Sequence, residues 1–436
     1  MKSKNSKTKT KKNKTKKINR TRNTRSVSSH KINGYNVLII DITDSELVYI
    51  QSHVNVGFLF ENKRNSGINH LLEHILVNSW EQCSKFPCLE VLSKKGIQCN
   101  AHTGLTNVNY HTTSTQETLY EMLDYITTIT TKAKITKRNL DIEINPVINE
   151  LKQYGSDPKS ELWDLFQKEM FCSEGGKYSD DWGLQIKNLK HITLSDVKKY
   201  YEEHYLPEKV SFVICGNINK YIILEKMKEL LPSSNNCSIT PYINYQKCFN
   251  NLDKNKYIFN KNSTRKNSVC AFKYYLSEIE NHILLSFSLR CLRHELFMEL
   301  RYNKKLVYYL NCNYKRTHCG YVITISYETS KEKIKISHDS ILSIIEKYKN
   351  NFFSMQNITS RKKHEKINFG KNNLNNPEFI SKHYSSQFIF EHKHMYSPEY
   401  VLKYINQINN RNIKKTINKS FNNFIFGYQS NKQIKF

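Results

Sequence analysis

Residues 70–74 read His-Leu-Leu-Glu-His. On a helix, positions four apart lie on one face, about one turn from each other. His70 and His74 could therefore share one zinc ion as neutral imidazoles. Glu73, one residue before the second His, could reach a water on that ion. The plain alternative is a helix with an incidental His pair. A third ligand separates the two readings, because catalytic zinc takes three protein ligands and leaves one position open. Reading on from His74, 75 residues intervene before Glu150, and Glu143 stands seven residues ahead of it. Seven residues is close to two helical turns, so both carboxylates could share a face. His102, His111 and His294 stand alone and read as ordinary packed or surface residues.

The order H-x-x-E-H reverses the commoner H-E-x-x-H and marks the inverzincin type. With the interval to Glu150 and a second Glu seven before it, the pattern resembles the pitrilysin family of zinc metallopeptidases. That family includes insulysin and the mitochondrial processing peptidase. Further segments carry the resemblance. Ser66-Gly67-Ile68-Asn69 stands where the family has a Gly turn before its zinc helix. Gly96 to Thr103 is similar to its Gly-x-x-x-Asn-Ala-x-Thr strand. Leu194 to Glu208 and Val210 to Ile218 resemble the helix and last strand that close a domain. Leu300-Arg301 through Leu306-Val307-Tyr308 resembles a second-domain segment. These cover most of residues 35–330 in order, and the last hundred residues match only in general character.

The resemblance implies a zinc-dependent endopeptidase that hydrolyses peptides or unfolded polypeptide segments. It implies one zinc per chain, held by His70, His74 and Glu150, with Glu73 as general base. Glu143 would sit beside the metal and orient a ligand. Pro146 bears on this, because a helix beginning there with Asn145 as cap would leave Glu143 off the shared face. Asn100 and Ala101 would lie on an edge strand to which an extended peptide adds. Arg301 would bind substrate backbone and Tyr308 would donate to the developing oxyanion. Here the chain departs from the family pattern: Lys305 replaces the usual Gly before Leu306, and Tyr302 replaces an acid after the Arg. Family members of this length close a substrate chamber from two chains, which implies a homodimer with composite sites. A heterodimer with a related chain is the alternative. Some members are catalytically inactive structural subunits; that rival expects missing ligands, whereas all four key residues are present.

Several elements must position these residues. Val37 to Ile40 is a short apolar run that reads as a first strand, and Leu47–Val54 and Val56–Phe60 read as paired strands. Ile68–Trp80 reads as the helix carrying the pentad, followed by a helix over Phe86–Lys94. Ile97–Thr103 and Asn107–Ser114 read as strands, then Glu117–Thr130 and Lys137–Tyr154 as helices. The second half has strand-like segments at 256–259, 268–275 and 321–328. Long helical patterns run over 281–301 and 331–349. Paired strands with clustered helices predict an α+β class with largely antiparallel sheets. The resemblance implies two similar domains, each a mainly antiparallel sheet packed with helices. The expected organisation is a disordered basic arm over 1–30, a zinc-binding domain over 31–231, a linker over 232–251 and a second domain over 252–436.

The length of 436 residues suits two domains. Hydrophobic residues are only 38% but aromatics reach 12%, so Tyr and Phe must carry much of the burial. The formal charge is +28, with twelve Lys or Arg in residues 1–25 and no acid before Asp41. Such an arm could contact nucleic acid or an anionic surface, and a nucleic-acid-associated role is the second rival. Ile18 alone is aliphatic in residues 2–26, which disfavours an amphipathic presequence. No apolar run is long enough to span a bilayer. Eleven Cys without C-x-x-C spacing suggest reduced thiols in an intracellular setting. The cytoplasm is the expected compartment, with nucleus and mitochondrion as alternatives.

Overall fold

The computed structural model describes residues 25–83, 87–233, 248–261, 266–371, 374–391 and 395–436. The first half contains strands β1 (Arg25–Ile32), β2 (Tyr35–Ile42), β3 (Leu47–Val54), β4 (Gln98–Thr103), β5 (Val108–Thr115) and β6 (Val210–Gly216). Its helices are α1 (Ile68–Val77), α2 (Cys88–Lys94), α3 (Leu119–Thr131), α4 (Lys137–Ser156), α5 (Ser160–Met170), α6 (Glu174–Lys177), α7 (Trp182–Leu189), α8 (Leu194–His204) and α9 (Lys220–Leu230). The second half contains β7 (Lys256–Lys261), β8 (Asn267–Leu276), β9 (Leu310–Thr317), β10 (Gly320–Ser330) and β11 (Ile425–Ser430). Its helices are α10 (His282–Phe297), α11 (Ile334–Asn350), α12 (Met355–Lys371), α13 (Pro377–Glu391), α14 (Pro398–Gln407) and α15 (Asn410–Ser420).

Two sheets result, with strand orders β1-β2-β6-β3-β5-β4 and β7-β11-β8-β10-β9. Only the β2–β6 and β7–β11 pairs are parallel. The class is therefore α+β, with two mainly antiparallel sheets packed with helices. The local sequence explains each strand's place. β6 is apolar or small throughout and buried along its whole length, as a strand covered on both faces must be. β5 alternates Val108, Tyr110, Thr112 and Ser114 inward with half-buried Asn109, His111 and Thr113, the period of a strand with one covered face. β4 is an edge strand and is mostly open to solvent.

The two halves exchange helices. α13 lies over the first sheet, where Ile380, Tyr384 and Phe388 meet Leu38, Ile40, Ile42 and Val213. The Gln51 side chain of β3 donates to Ser381 Oγ of α13 at 2.7 Å. Reciprocally, Leu162 and Phe166 of α5 pack with Ile258, Ala271 and Ile425 of the second sheet. Gly427 of β11 leaves room for this packing: a Cβ there would fall 2.6 Å from the Phe166 ring. Each sheet is thus covered on one face by its own helices and on the other by a helix from the opposite half.

Several local expectations are corrected. Residues 25–30, assigned to the arm, form most of β1, and residues 1–24 lie outside the described residues. β1 forms because its backbone pairs along the whole of β2 in antiparallel register. Val56–Phe60 is not a strand: Phe58–Phe60 is a 3₁₀ turn whose N–H groups at Phe58 and Leu59 bond to Gly104 and Leu105 carbonyls. Residues 234–247 of the expected linker also lie outside the described residues. The helix expected over 281–301 ends as α10 at Phe297 and continues as a π-helical turn over Met298–Asn303. The thiols are not all reduced, since Cys83 and Cys88 form a disulfide. Among the described residues, no helix is long and apolar enough to cross a membrane.

Candidate metal centre

The pentad lies on α1, whose start is built from three features. Gly67 sits at φ +98°, a left-handed conformation that favours glycine. Glu61 then supplies what the helix N-terminus lacks: its Oε2 accepts the Gly67 N–H and its Oε1 the Asn69 N–H, both at 2.9 Å. The Asn69 side chain donates to the Gly57 carbonyl and the Tyr200 hydroxyl, tying the helix to α8. Glu61 is buried, and burial pushes its carboxyl up to about 7 against the opposing hydrogen bonds from Gly67, Asn69 and Ser66. These contacts set the rotation of α1 and so the direction of both imidazoles.

α4 brings the carboxylates. Thr136 caps it, accepting the Asn139 N–H while the Asn139 side chain returns to the Thr136 N–H. Pro146 sits inside this helix without ending it. Its ring leaves the Ile142 carbonyl without an i+4 donor, and Ile142 lies on the exposed side of the helix. Glu143, Val147, Glu150 and Tyr154 therefore run along one face, and the objection from Pro146 falls.

Donor atoms of His70, His74 and Glu150 all lie within 4.8 Å of one another. Glu150 Oε2 is 3.5 Å from His70 Nε2 and 3.4 Å from His74 Nε2. Ligands about 2.0–2.1 Å from a tetrahedral zinc stand about 3.4 Å apart, so the donor set fits this ion in kind and spacing. Glu143 Oε2 lies 3.3 Å from His74 Nδ1, and its Oε1 accepts from the Asn78 side chain at 2.8 Å. This is the arrangement by which a carboxylate fixes the tautomer of a ligating imidazole. Burial, then the neighbouring His74, hold His70 down at about 4, in the neutral form that a metal needs. Burial also works against the charged form of His74. The Glu143 hydrogen bond and the charges of Glu73, Glu143 and Glu150 outweigh it and raise this imidazole.

Glu73 is buried on α1, and the Thr103 hydroxyl of β4 donates to its Oε2 at 2.5 Å. Burial raises its carboxyl, partly offset by the Thr103 hydrogen bond and by His74. A raised carboxyl is a better proton acceptor than one held low. Asn100 and Ala101 lie three and two residues before Thr103 on the same edge strand. The Ala101 N–H is bonded to Asn100 Oδ1 at 2.8 Å.

Arg301 and Tyr308 contact each other. The guanidinium stacks 4.3 Å from the Tyr308 ring centre and donates to the Val307 carbonyl at 3.5 Å. Both line a recess of about 770 Å³ with Tyr302, Tyr309 and Thr329. Among the described residues, neither makes a hydrogen bond, ion pair or ring contact with the pentad or Glu150. Sequence reasoning missed Thr103, Asn78, Glu61 and Tyr154 as supports of the site. Thr103 had a signal, as the last residue of the segment quoted for the family strand. Tyr154 had one too, standing four residues after Glu150 on the same helix. Asn78 and Glu61 had none, because their partners are found only by folding.

A profile described as "Insulinase (Peptidase family M16)" matches residues 36–176, the span that holds every member of this cluster. A second, "Peptidase M16 inactive domain", matches residues 191–363. The chain belongs to the M16 peptidase family. The mitochondrial-processing peptidase subunit beta of Caenorhabditis elegans is 21% identical over 197 residues, covering 45% of this chain and 42% of that protein. An uncharacterized zinc protease of Bacillus subtilis, YmxG, is 23% identical over 198 residues, covering 45% and 47%. The matched stretch spans less than half the length of these M16 relatives. A protease from Helicobacter pylori shares the fold at a TM-score of 0.80 and 15% identity, covering 93% of this chain and 99% of that one.

Proposed function

We propose that this M16 chain is a zinc-dependent endopeptidase acting on peptides or unfolded polypeptide segments. The observation that carries the reading is the convergence of His70 Nε2 and His74 Nε2 on one oxygen of Glu150, at 3.5 and 3.4 Å, beside buried Glu73. His70, His74 and Glu150 would hold the ion. Zinc, when bound, supplies Lewis acidity that lowers the pKa of water and polarises a carbonyl. Glu73 accepts the proton from the attacking water and returns it to the leaving amine, with the Thr103 hydroxyl holding the carboxylate in place. The edge of β4 pairs with an extended substrate, and Asn100 Oδ1 keeps the Ala101 N–H satisfied until a peptide replaces it.

Arg301 and Tyr308 complete this reading from a second copy of the chain. Tyr308 is 77% exposed, with Tyr302 at 58% and Tyr309 at 53% beside it. An exposed aromatic cluster around an Arg has the composition of a surface that a partner covers. A homodimer with two composite sites follows, and a heterodimer with a related chain is the alternative outcome. The deciding experiment combines metal analysis, gel filtration and a peptide-library digest of wild type beside Glu73→Gln. The expected result is one zinc per chain in both, with cleavage only in wild type. A variant that still cleaves normally overturns the assignment of Glu73. If wild type and variant are equally inert, the chain is a structural homologue.

A further inference from the structure

The two carboxylate oxygens of Glu150 have different surroundings. Oε2 faces both imidazoles, at 3.5 and 3.4 Å. Oε1 accepts a hydrogen bond from the Tyr154 hydroxyl, one helical turn further along α4. Apart from the imidazoles, Tyr154 is the hydrogen-bond partner of Glu150 among the described residues. The ring of Tyr154 is not a core side chain, since it remains 44% exposed. It is nonetheless held in place. It packs on Trp182 at the start of α7, with ring centres 5.5 Å apart and planes at 52°. The same indole lies against Gly155. The phenol is therefore aimed at a carboxylate by a wall from a second helix.

We propose that Tyr154 is a positioning residue for the metal centre, holding the outer oxygen of Glu150 so that a single oxygen faces the ion. The proposal rests on the zinc reading and extends it to a residue outside the ligand set. The physical argument concerns freedom at Glu150. A carboxylate on a flexible side chain can offer one oxygen or both, and it can rotate away from the imidazoles. Glu143 removes the corresponding freedom from His74, and no expected residue did so for Glu150. A donor on Oε1 occupies the oxygen that bidentate binding would need. It also opposes rotation away from the site. Partners of this kind are worth about 10–100-fold in metal affinity.

The test uses the full-length chain and compares wild type, Tyr154→Phe and Trp182→Phe. Zinc affinity is read by competition with a chromophoric chelator, and ligand geometry by the visible absorption of the cobalt(II)-substituted protein. Tyr154→Phe keeps the ring and loses the hydroxyl. Its zinc affinity should fall about 10–100-fold. Its cobalt bands should weaken as the carboxylate becomes bidentate, while the unfolding midpoint of the metal-free protein stays put. Trp182→Phe keeps the hydroxyl and part of the aromatic wall, and should lose less affinity than Tyr154→Phe. Wild-type affinity and an unchanged cobalt spectrum in Tyr154→Phe overturn this inference alone. So does an affinity loss in Tyr154→Phe accompanied by an equal drop in the unfolding midpoint of the metal-free protein, which would assign the effect to packing. A wild-type chain that takes up neither ion removes the zinc reading and this inference together.

Discussion

The pentad on α1 and the Arg301–Tyr308 pair differ in how far the chain prepares them. Around the pentad, each functional side chain has a partner that limits its motion. Glu61 caps the helix, Glu143 holds His74, and Thr103 holds Glu73. Arg301 and Tyr308 hold mainly each other. Arg301 lies in the π-helical turn and Tyr308 follows it, and Lys305 between them adopts φ +52°, a left-handed conformation at the position where the family usually has Gly. The side chains around the pentad are thus held by contacts from several elements of the first half. Arg301 and Tyr308 stand in an exposed aromatic patch held mainly by their own contact.

Four perturbations test this contrast, from the largest effect to the smallest. Glu73→Gln should cost about 10²–10⁴-fold in peptide cleavage with zinc content unchanged, read by turnover and metal analysis. Tyr308→Phe should lower kcat by about 10²–10³-fold if the second half completes the site, with no change in thermal stability. A wild-type rate in that variant would break the comparison by showing the first half to be sufficient. Glu61 should give the chain a pH-dependent stability. Its carboxyl rises from an ordinary 4.5 to about 7 in the folded state, so the folded state binds the proton more tightly. Stability should then decline as pH rises from about 4.5 to about 7, by about 3 kcal/mol. Urea unfolding of wild type against Glu61→Gln should show a decline that is absent in the variant. Glu143→Gln should weaken zinc about 10–100-fold, measured by chelator competition, and sharpen the contrast if no variant at Arg301 does the same.

Much of the chemistry was legible along the chain. The His pair and Glu73 lie within one helical turn, so local periodicity sufficed to group them. The strand pattern of the first sheet was legible for the same reason, from Val37–Ile40 to the alternation of β5. Val56–Phe60 misled because its apolar residues bury Leu59 at the joint between the halves rather than in a ladder. Pro146 misled in the other direction. A proline inside a helix is costly when the carbonyl it strands is buried, and whether Ile142 faces water is a property of the packed molecule.

The residues alone determined that His70, Glu73 and His74 group on one helical turn and that the class is α+β, because these follow from periods of 3.6 and 2. Only the tertiary structure decided that Glu143 reaches His74 across a helix pair. It also decided that Thr103 reaches Glu73 from an edge strand, and that α5 and α13 change places between the sheets. Those outcomes depend on which faces remain uncovered once local elements have formed. A sheet with two apolar faces needs a cover on each, and here the second cover comes from the other half of the chain.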